Sequence, residues 1–238
     1  MTSGRGSQPD ERTAPGTLLR WIGDCSYQGV RLALRVLFLL AFRLRVEGDP
    51  PESGPCVLAP NHGSFLDPLL LGVAARRRVV FLMTEILFRS PWLRWFYRWA
   101  RVIPVAARGA NRDALRRARE TLRRGQAIGI FPEGGLSRDG GFLLGNPGAV
   151  ALVLQEGAPI VPVGILGSRE AMPAGRLFPR FSKIIVRFGE PILPSDIERL
   201  GAGRKQRLAA ATRLIMDRIA ELTGGESREA ELDRLRRC

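Results

Sequence analysis

Cys56 to Gly72 reads CVLAPNHGSFLDPLLLG. Cys56 to Ala59 is a short apolar run of strand length, a polar, glycine-containing loop follows, and Pro68 to Ala75 resumes as an apolar helical stretch. Aspartate is a favoured N-cap and proline a favoured first helical residue, so Asp67 and Pro68 are expected at the start of that helix, with Asp67 as its cap. The loop holds the single histidine of the chain, His62, five positions before Asp67. Ligand-binding and catalytic groups gather at the carboxyl ends of strands in parallel sheets, and His62 stands at such an end. A carboxylate at the helix start can fix the imidazole tautomer and stabilise the imidazolium, while the Asn61 amide is expected to brace the turn.

The strand-then-helix pattern continues in both directions. Further strands are predicted over Val79 to Met83, Val102 to Val105, Ala127 to Phe131, Ile160 to Ile165 and Ile184 to Phe188. Helices are predicted over Trp92 to Ala100, Arg112 to Arg124, Gly148 to Glu156 and about Arg204 to Leu222. The alternation implies an α/β fold with a mostly parallel central sheet covered by helices, preceded by an N-terminal amphipathic helical segment. Ser195 and Glu198 have capping-box spacing. Pro162, inside the run APIVPVGI, suggests an edge strand or a bulge near a site.

The chain has 238 residues, is 45% hydrophobic and 25% charged, and contains 27 Gly and 17 Pro, which excludes disordered, collagen-like and disulfide-scaffold classes. Its net charge of +14 favours anionic partners such as nucleic acid, acidic lipid or phosphorylated substrates. Cys25, Cys56 and Cys238 form no CxxC pair, which fits a reducing compartment, and a lone histidine without clustered thiols gives a metal little to bind.

Four segments follow from the composition: a polar leader, 1–16, expected to be disordered; an amphipathic helical segment, 17–46; an α/β domain, 47–223; and a charged tail, 224–238. The second segment mixes Leu, Phe and Trp with Arg20, Arg31, Arg35, Arg43 and Arg45. Its longest uncharged run, Val36 to Phe42, is seven residues, against the roughly 20 that a spanning helix needs, so it is expected not to cross a bilayer. Two fates stay open for it: lying in the headgroup region, or packing its apolar face on the domain. The cluster WLRWFYRW, Trp92 to Trp99, admits the same two readings.

A second loop rich in chemistry, FPEGGLSRDGG from Phe131 to Gly141, again follows an apolar strand. It places Glu133, Ser137, Arg138 and Asp139 among glycines, including Gly134, whose backbone amides can approach an anion closely. VIPVAAR, Val102 to Arg108, leads a strand into an arginine able to meet a phosphate at the same sheet edge.

Together these blocks resemble the glycerolipid acyltransferase family that includes the 1-acylglycerol-3-phosphate acyltransferases. Asn61, His62 and Asp67 match the first motif, Asn-His-x4-Asp. Arg108 matches the second, a short apolar strand ending in Arg. Phe131, Pro132, Glu133, Gly134 and Ser137 match the third, Phe-Pro-Glu-Gly-Thr-Arg-Ser, and Val161, Pro162 and Val163 match the fourth. The third motif's Thr and Arg are Gly135 and Leu136 here, and Asn146 and Pro147 stand where a lysine commonly precedes the next helix.

The resemblance implies acyl transfer from acyl-CoA or acyl carrier protein, as cosubstrate and without a bound cofactor, to a lysophospholipid hydroxyl. His62 would serve as general base with Asp67 orienting it. Glu133 and Arg108 would position the glycerophosphate, aided by Asn61, Gly134, Ser137 and Arg138. Expected partners are a lysophospholipid, an acyl thioester and an anionic membrane surface at the cytoplasmic face of the plasma membrane, with no nucleic acid. Three rivals are a hydrolase, for which no GxSxG elbow occurs; a nucleic-acid module, for which no recognition motif occurs; and a catalytically silent membrane-binding relative.

Overall fold

The computed structural model describes residues 15–85, 91–106, 111–137, 141–173, 175–176, 178–228 and 230–232. The expected leader therefore lies almost wholly outside the described residues, as do Arg108, Arg138, Asp139 and the end of the tail.

A long helix, α1 (Pro15–Phe42), leads into β1 (Arg45–Glu47) and β2 (Cys56–Pro60). The chain continues through α2 (Asp67–Ala74), β3 (Val79–Thr84), α3 (Pro91–Trp99), β4 (Ile103–Val105), α4 (Arg112–Arg123), β5 (Ala127–Gly129) and α5 (Gly148–Glu156). It ends with β6 (Ile160–Leu166), α6 (Ser168–Ala171), β7 (Ile185–Phe188), α7 (Pro194–Glu198) and α8 (Arg204–Thr223).

The seven strands form one sheet in the order β1-β7-β6-β2-β5-β3-β4. All neighbouring pairs are parallel except β6 with β7, so β1 and β7 run against the other five. The sheet is thus mostly parallel and wrapped by helices, as the alternation predicts.

Period-two geometry divides the core into two layers. From β2, Cys56 and Leu58 face a cluster with Leu70 and Leu71 of α2 and Phe38 and Phe42 of α1. Val57 and Ala59 face the opposite cluster with Ala118 and Leu122 of α4, Val150 and Val153 of α5, and Ile215 and Ile219 of α8. All five β2 residues are buried, which is why the strand reads as a continuous apolar run rather than an alternating one. In α4 only Ala114, Ala118 and Leu122 are buried, a single stripe at i, i+4, i+8. Arg119 and Arg123 on the same helix pair with Glu156 at the end of α5 and fasten the two helices.

Four expectations need correction. The helical segment ends at Phe42, and β1 straddles the boundary expected after Val46, pairing with β7 through Arg45, Val46 and Glu47. Pro162 is on no edge strand, since β6 lies between β7 and β2. It does sit at a bulge: Val163 pairs with Phe188 and Ile160 with Ile192, so three steps on β6 oppose four on the other side, and the missing N–H falls at that slip. The Ser195–Glu198 capping box is not formed; the Asp196 carboxylate instead accepts the Leu193 N–H at 3.0 Å. Finally, Asp67 is the first residue of α2, after Leu66 at the cap position, and its side chain makes no cap hydrogen bond.

The apolar span also needs restating. Cys25–Phe42 has a mean hydropathy of 1.3 and is long and apolar enough to cross a membrane by length and composition, so counting the uninterrupted run does not exclude a span. Both fates considered for this helix have a physical basis in the structure. Phe38 and Phe42 are buried in the core, while Val36, Leu37, Leu39 and Leu40 are exposed, Leu40 at 79%. The helix is further held by Arg78, whose guanidinium lies 4.0 Å over the Tyr27 ring. In α3, Tyr97 is buried and Phe96 packs against the core, whereas Trp95 is exposed.

Candidate active site

β2 is central in the sheet, and its carboxyl end delivers Asn61 and His62 into the loop before α2. The Asn61 carboxamide spans to β6: Nδ2 donates to the Ile165 carbonyl at 3.0 Å, and Oδ1 accepts the Ile165 N–H at 2.7 Å. It braces two strand ends rather than the turn itself. At the start of α2, the fully buried Asp67 turns its carboxylate back over the loop. Its Oδ2 accepts the backbone N–H groups of Gly63 at 2.8 Å and Ser64 at 2.7 Å, and lies 3.1 Å from His62 Nδ1. With Nδ1 engaged by the carboxylate, Nε2 is the ring nitrogen left to accept a proton.

The second loop locks the backbone of the first. Glu133, buried beside His62, accepts the His62 N–H on Oε1 at 2.9 Å and the Leu143 N–H on Oε2 at 3.1 Å. In return, the Ser137 N–H donates to the His62 carbonyl at 2.9 Å. Both backbone polar groups of His62 are therefore held by residues 71 and 75 positions away in sequence. Glu133, expected to position the glycerophosphate, accepts one backbone N–H on each oxygen and also lines the cleft beside His62. Burial pushes the Glu133 carboxyl above the ordinary value, an effect partly offset by the Leu143 and His62 N–H groups. Ser137 Oγ donates to the Gly141 carbonyl at 2.7 Å. Gly134 is exposed and has φ +68°, a left-handed turn position that explains the glycine without an anion.

Beneath the imidazole, Phe131 stacks at 4.0 Å between centroids and Phe81 follows at 6.3 Å. Room for the Phe81 ring comes from Gly129, where a Cβ would approach two ring carbons at 2.6 Å. Gly129→Ala is expected to displace Phe81 and with it the stack under His62. It should cost about 1–3 kcal/mol of stability, measurable by denaturant unfolding, and lower turnover as well. Unchanged stability would show that the core relaxes around the methyl.

His62 borders a cleft of about 280 Å³ that also receives Asn61, Glu133, Ser137, Phe142 and Arg169. Sequence reading brings Asn61, His62, Asp67, Glu133 and Ser137 together correctly in space, while Arg108 and Arg138 fall outside the described residues. It overlooks Arg169, which follows the end of β6; the rule that strand carboxyl ends carry sites would have flagged it. It also overlooks the stacking role of Phe131.

A carboxylate-held imidazole at a sheet-end cleft is suited to taking a proton from a hydroxyl. Residues 43–166, just over half of the chain, match the family described as Acyltransferase. The chain belongs to that family. Its lipid branch is borne out by similar proteins. The 1-acyl-sn-glycerol-3-phosphate acyltransferase of Bacillus subtilis is 29% identical over 210 residues, covering 85% of this chain and 96% of the relative. The chloroplastic 1-acyl-sn-glycerol-3-phosphate acyltransferase BAT2 of Brassica napus is 30% identical over 132 residues, and this chain matches only 38% of its length. In fold, the acyltransferase is similar to the crystal structure of the 1-acyl-sn-glycerophosphate acyltransferase PlsC of Thermotoga maritima. The TM-score is 0.61 at 24% identity, over 90% of this chain and 83% of the other. The family resemblance drawn from the four sequence blocks is thereby established, and the protein is an enzyme of acyl transfer.

Proposed function

We propose that this acyltransferase moves an acyl group from a thioester, on coenzyme A or acyl carrier protein, to the free hydroxyl of 1-acylglycerol-3-phosphate. The observation that carries the reading is the 3.1 Å contact between His62 Nδ1 and Asp67 Oδ2 at the mouth of the cleft. His62 Nε2 takes the hydroxyl proton while the oxygen attacks the thioester carbonyl. The C–S bond then breaks, and the thiolate recovers the proton from the imidazolium. Asp67 holds the tautomer and balances the charge that develops on the ring. No enzyme nucleophile is required, because the acceptor supplies its own.

Glu133 acts by fixing the backbone of His62. The acceptor phosphate requires cationic partners, and the motif arginine Arg108, with Arg138, is proposed for that role; neither lies among the described residues. Gly135 and Leu136 stand where the family motif has Thr and Arg, so a hydroxyl and a guanidinium that the motif would supply near the acceptor phosphate are absent from those positions. The similar proteins bearing the 1-acylglycerol-3-phosphate name favour that acceptor. The exposed apolar face of α1 and the +14 charge support work at an anionic bilayer, for which we propose the cytoplasmic face of the plasma membrane; the sequence carries no nucleic-acid recognition motif.

The test is a panel of lyso-acceptors offered with labelled acyl-CoA and with labelled acyl carrier protein. Formation of labelled phosphatidic acid from 1-acylglycerol-3-phosphate is expected. Transfer only to other lyso-lipids would overturn the acceptor, and release of free fatty acid without acceptor consumption would overturn transfer in favour of hydrolysis.

A further inference from the structure

Between α6 and β7 the chain runs through Met172 to Lys183, a segment that no motif of the family resemblance covers. Its tip is apolar and wide open: Phe178 is 74% exposed and Phe181 86%. Protein cores ordinarily claim side chains of this size, and two left largely exposed three positions apart suit an apolar partner surface. The flanking charges are all of one sign. Arg176, Arg180 and Lys183 are exposed, and no acidic residue occurs between Glu170 and Glu190. Phenylalanine interleaved with arginine is the composition of segments that sit at the headgroup level of an acidic bilayer, the aromatic below and the guanidinium on the phosphates.

The segment is fastened at its ends. The Arg180 N–H donates to the Ala171 carbonyl at 2.7 Å, and Ser182 Oγ donates to the Gly167 carbonyl at 3.0 Å. Ser64 Oγ, from the loop that carries His62, donates to the Met172 carbonyl at 2.8 Å. Gly167, Ser168 and Arg169 line the cleft, so the Ser182 bond to Gly167 ties the segment directly to a residue of the cleft lining. On the other side the Phe181 ring lies 6.5 Å from that of Phe42, at the end of α1, and the Ile184 N–H donates to the Phe42 carbonyl at 3.0 Å. Phe181 thus adjoins the end of α1, whose Leu37 and Leu40 are exposed, and Phe65, in the loop that carries His62, is 51% exposed.

We infer that the Phe178–Phe181 tip is a second membrane-contacting element, which seats the cleft rim on an anionic bilayer while α1 supplies the first contact. The inference rests on the reading of the protein as an enzyme of bilayer lipids, and it assigns that contact to residues outside the reaction chemistry. An acidic carrier protein could also meet arginines, but the two bare phenyl rings favour lipid.

The test uses the full chain, the double variant Phe178→Ser/Phe181→Ser, and vesicles of phosphatidylcholine with phosphatidylglycerol. Because both side chains are exposed, the variant should melt with the wild type. Its vesicle affinity in a sedimentation assay should fall on the order of ten- to a hundredfold, since two largely buried phenyl rings leave the interface. Turnover should fall with a vesicle-borne acceptor and hold steady with a short-chain acceptor in solution. Unaltered vesicle affinity overturns the inference. So does equal loss on both acceptors, which would make the loop a wall of the acceptor site. Unaltered vesicle affinity with a raised KM for acyl carrier protein would assign the loop to that protein instead. Vesicle binding is read without turnover, so failure of the acyl-transfer reading leaves this measurement standing by itself.

Discussion

Replacing His62 with alanine is expected to lower acyl-transfer turnover by roughly 10²–10⁴-fold, the range over which a positioned general base contributes. Stability should hardly change, because the histidine backbone keeps its bonds to Glu133 and Ser137 whatever the side chain. Asp67→Asn provides the sharper companion. A carboxamide oxygen in the Oδ2 position can still accept the Gly63 and Ser64 N–H groups, while the negative charge that supports the imidazolium is gone. Turnover should then fall by a similar order with the loop still folded. More than a few per cent of residual turnover in His62→Ala, measured under saturating acceptor, would remove the imidazole from the chemistry.

Glu133→Gln is the second large effect. Both carboxylate oxygens receive a backbone N–H, and an amide must turn its NH2 toward one of those donors. Losing one buried hydrogen bond and facing two donors costs about 1–3 kcal/mol locally. A misplaced His62 backbone should lower turnover by about 10- to 100-fold, mainly in kcat.

The pH dependence gives the control. Burial raises the Glu133 pKa, so folding favours its protonated form. Its contribution to stability is present below the unfolded-state value and is lost as pH rises through the folded-state value. Activity runs the opposite way, since protonation turns one acceptor oxygen into a donor. The gap in turnover between wild type and Glu133→Gln should therefore narrow as pH falls. A constant gap across that range would mean that the charge state of Glu133 does not govern the position of His62.

How far the sequence reveals this arrangement depends on the range of the interaction involved. The β2–loop–α2 unit is legible because burial on both faces makes Cys56 to Ala59 continuously apolar and because Asp-Pro marks a helix start. The contact at its centre, His62 with Asp67, spans only five residues. β1 is illegible for the opposite reason: Arg45 and Glu47 are exposed and flank one half-buried valine, so three residues carry no hydrophobic pattern. Only pairing with β7, 140 positions on, makes a strand of them. Glu133 is found as a site residue from its motif, yet its hold on the two loops is not legible, because a carboxylate among glycines says nothing of the N–H groups that will converge on it. Pro162 teaches the same lesson: whether a missing N–H matters is decided by a register slip on a distant strand.

The short β1 has a further significance. It covers β7, whose Ile185, Val186 and Phe188 would otherwise form an open, apolar flank of the sheet. What β1 presents outward instead is Arg45 and Glu47, the latter paired with Arg187 at 2.6 Å. Charged residues on a three-residue outermost strand discourage other chains from adding to the ladder. Proteolytic trimming just ahead of Gly48 would strip that guard, together with the buried anchors Phe38 and Phe42, and leave a chain prone to self-association.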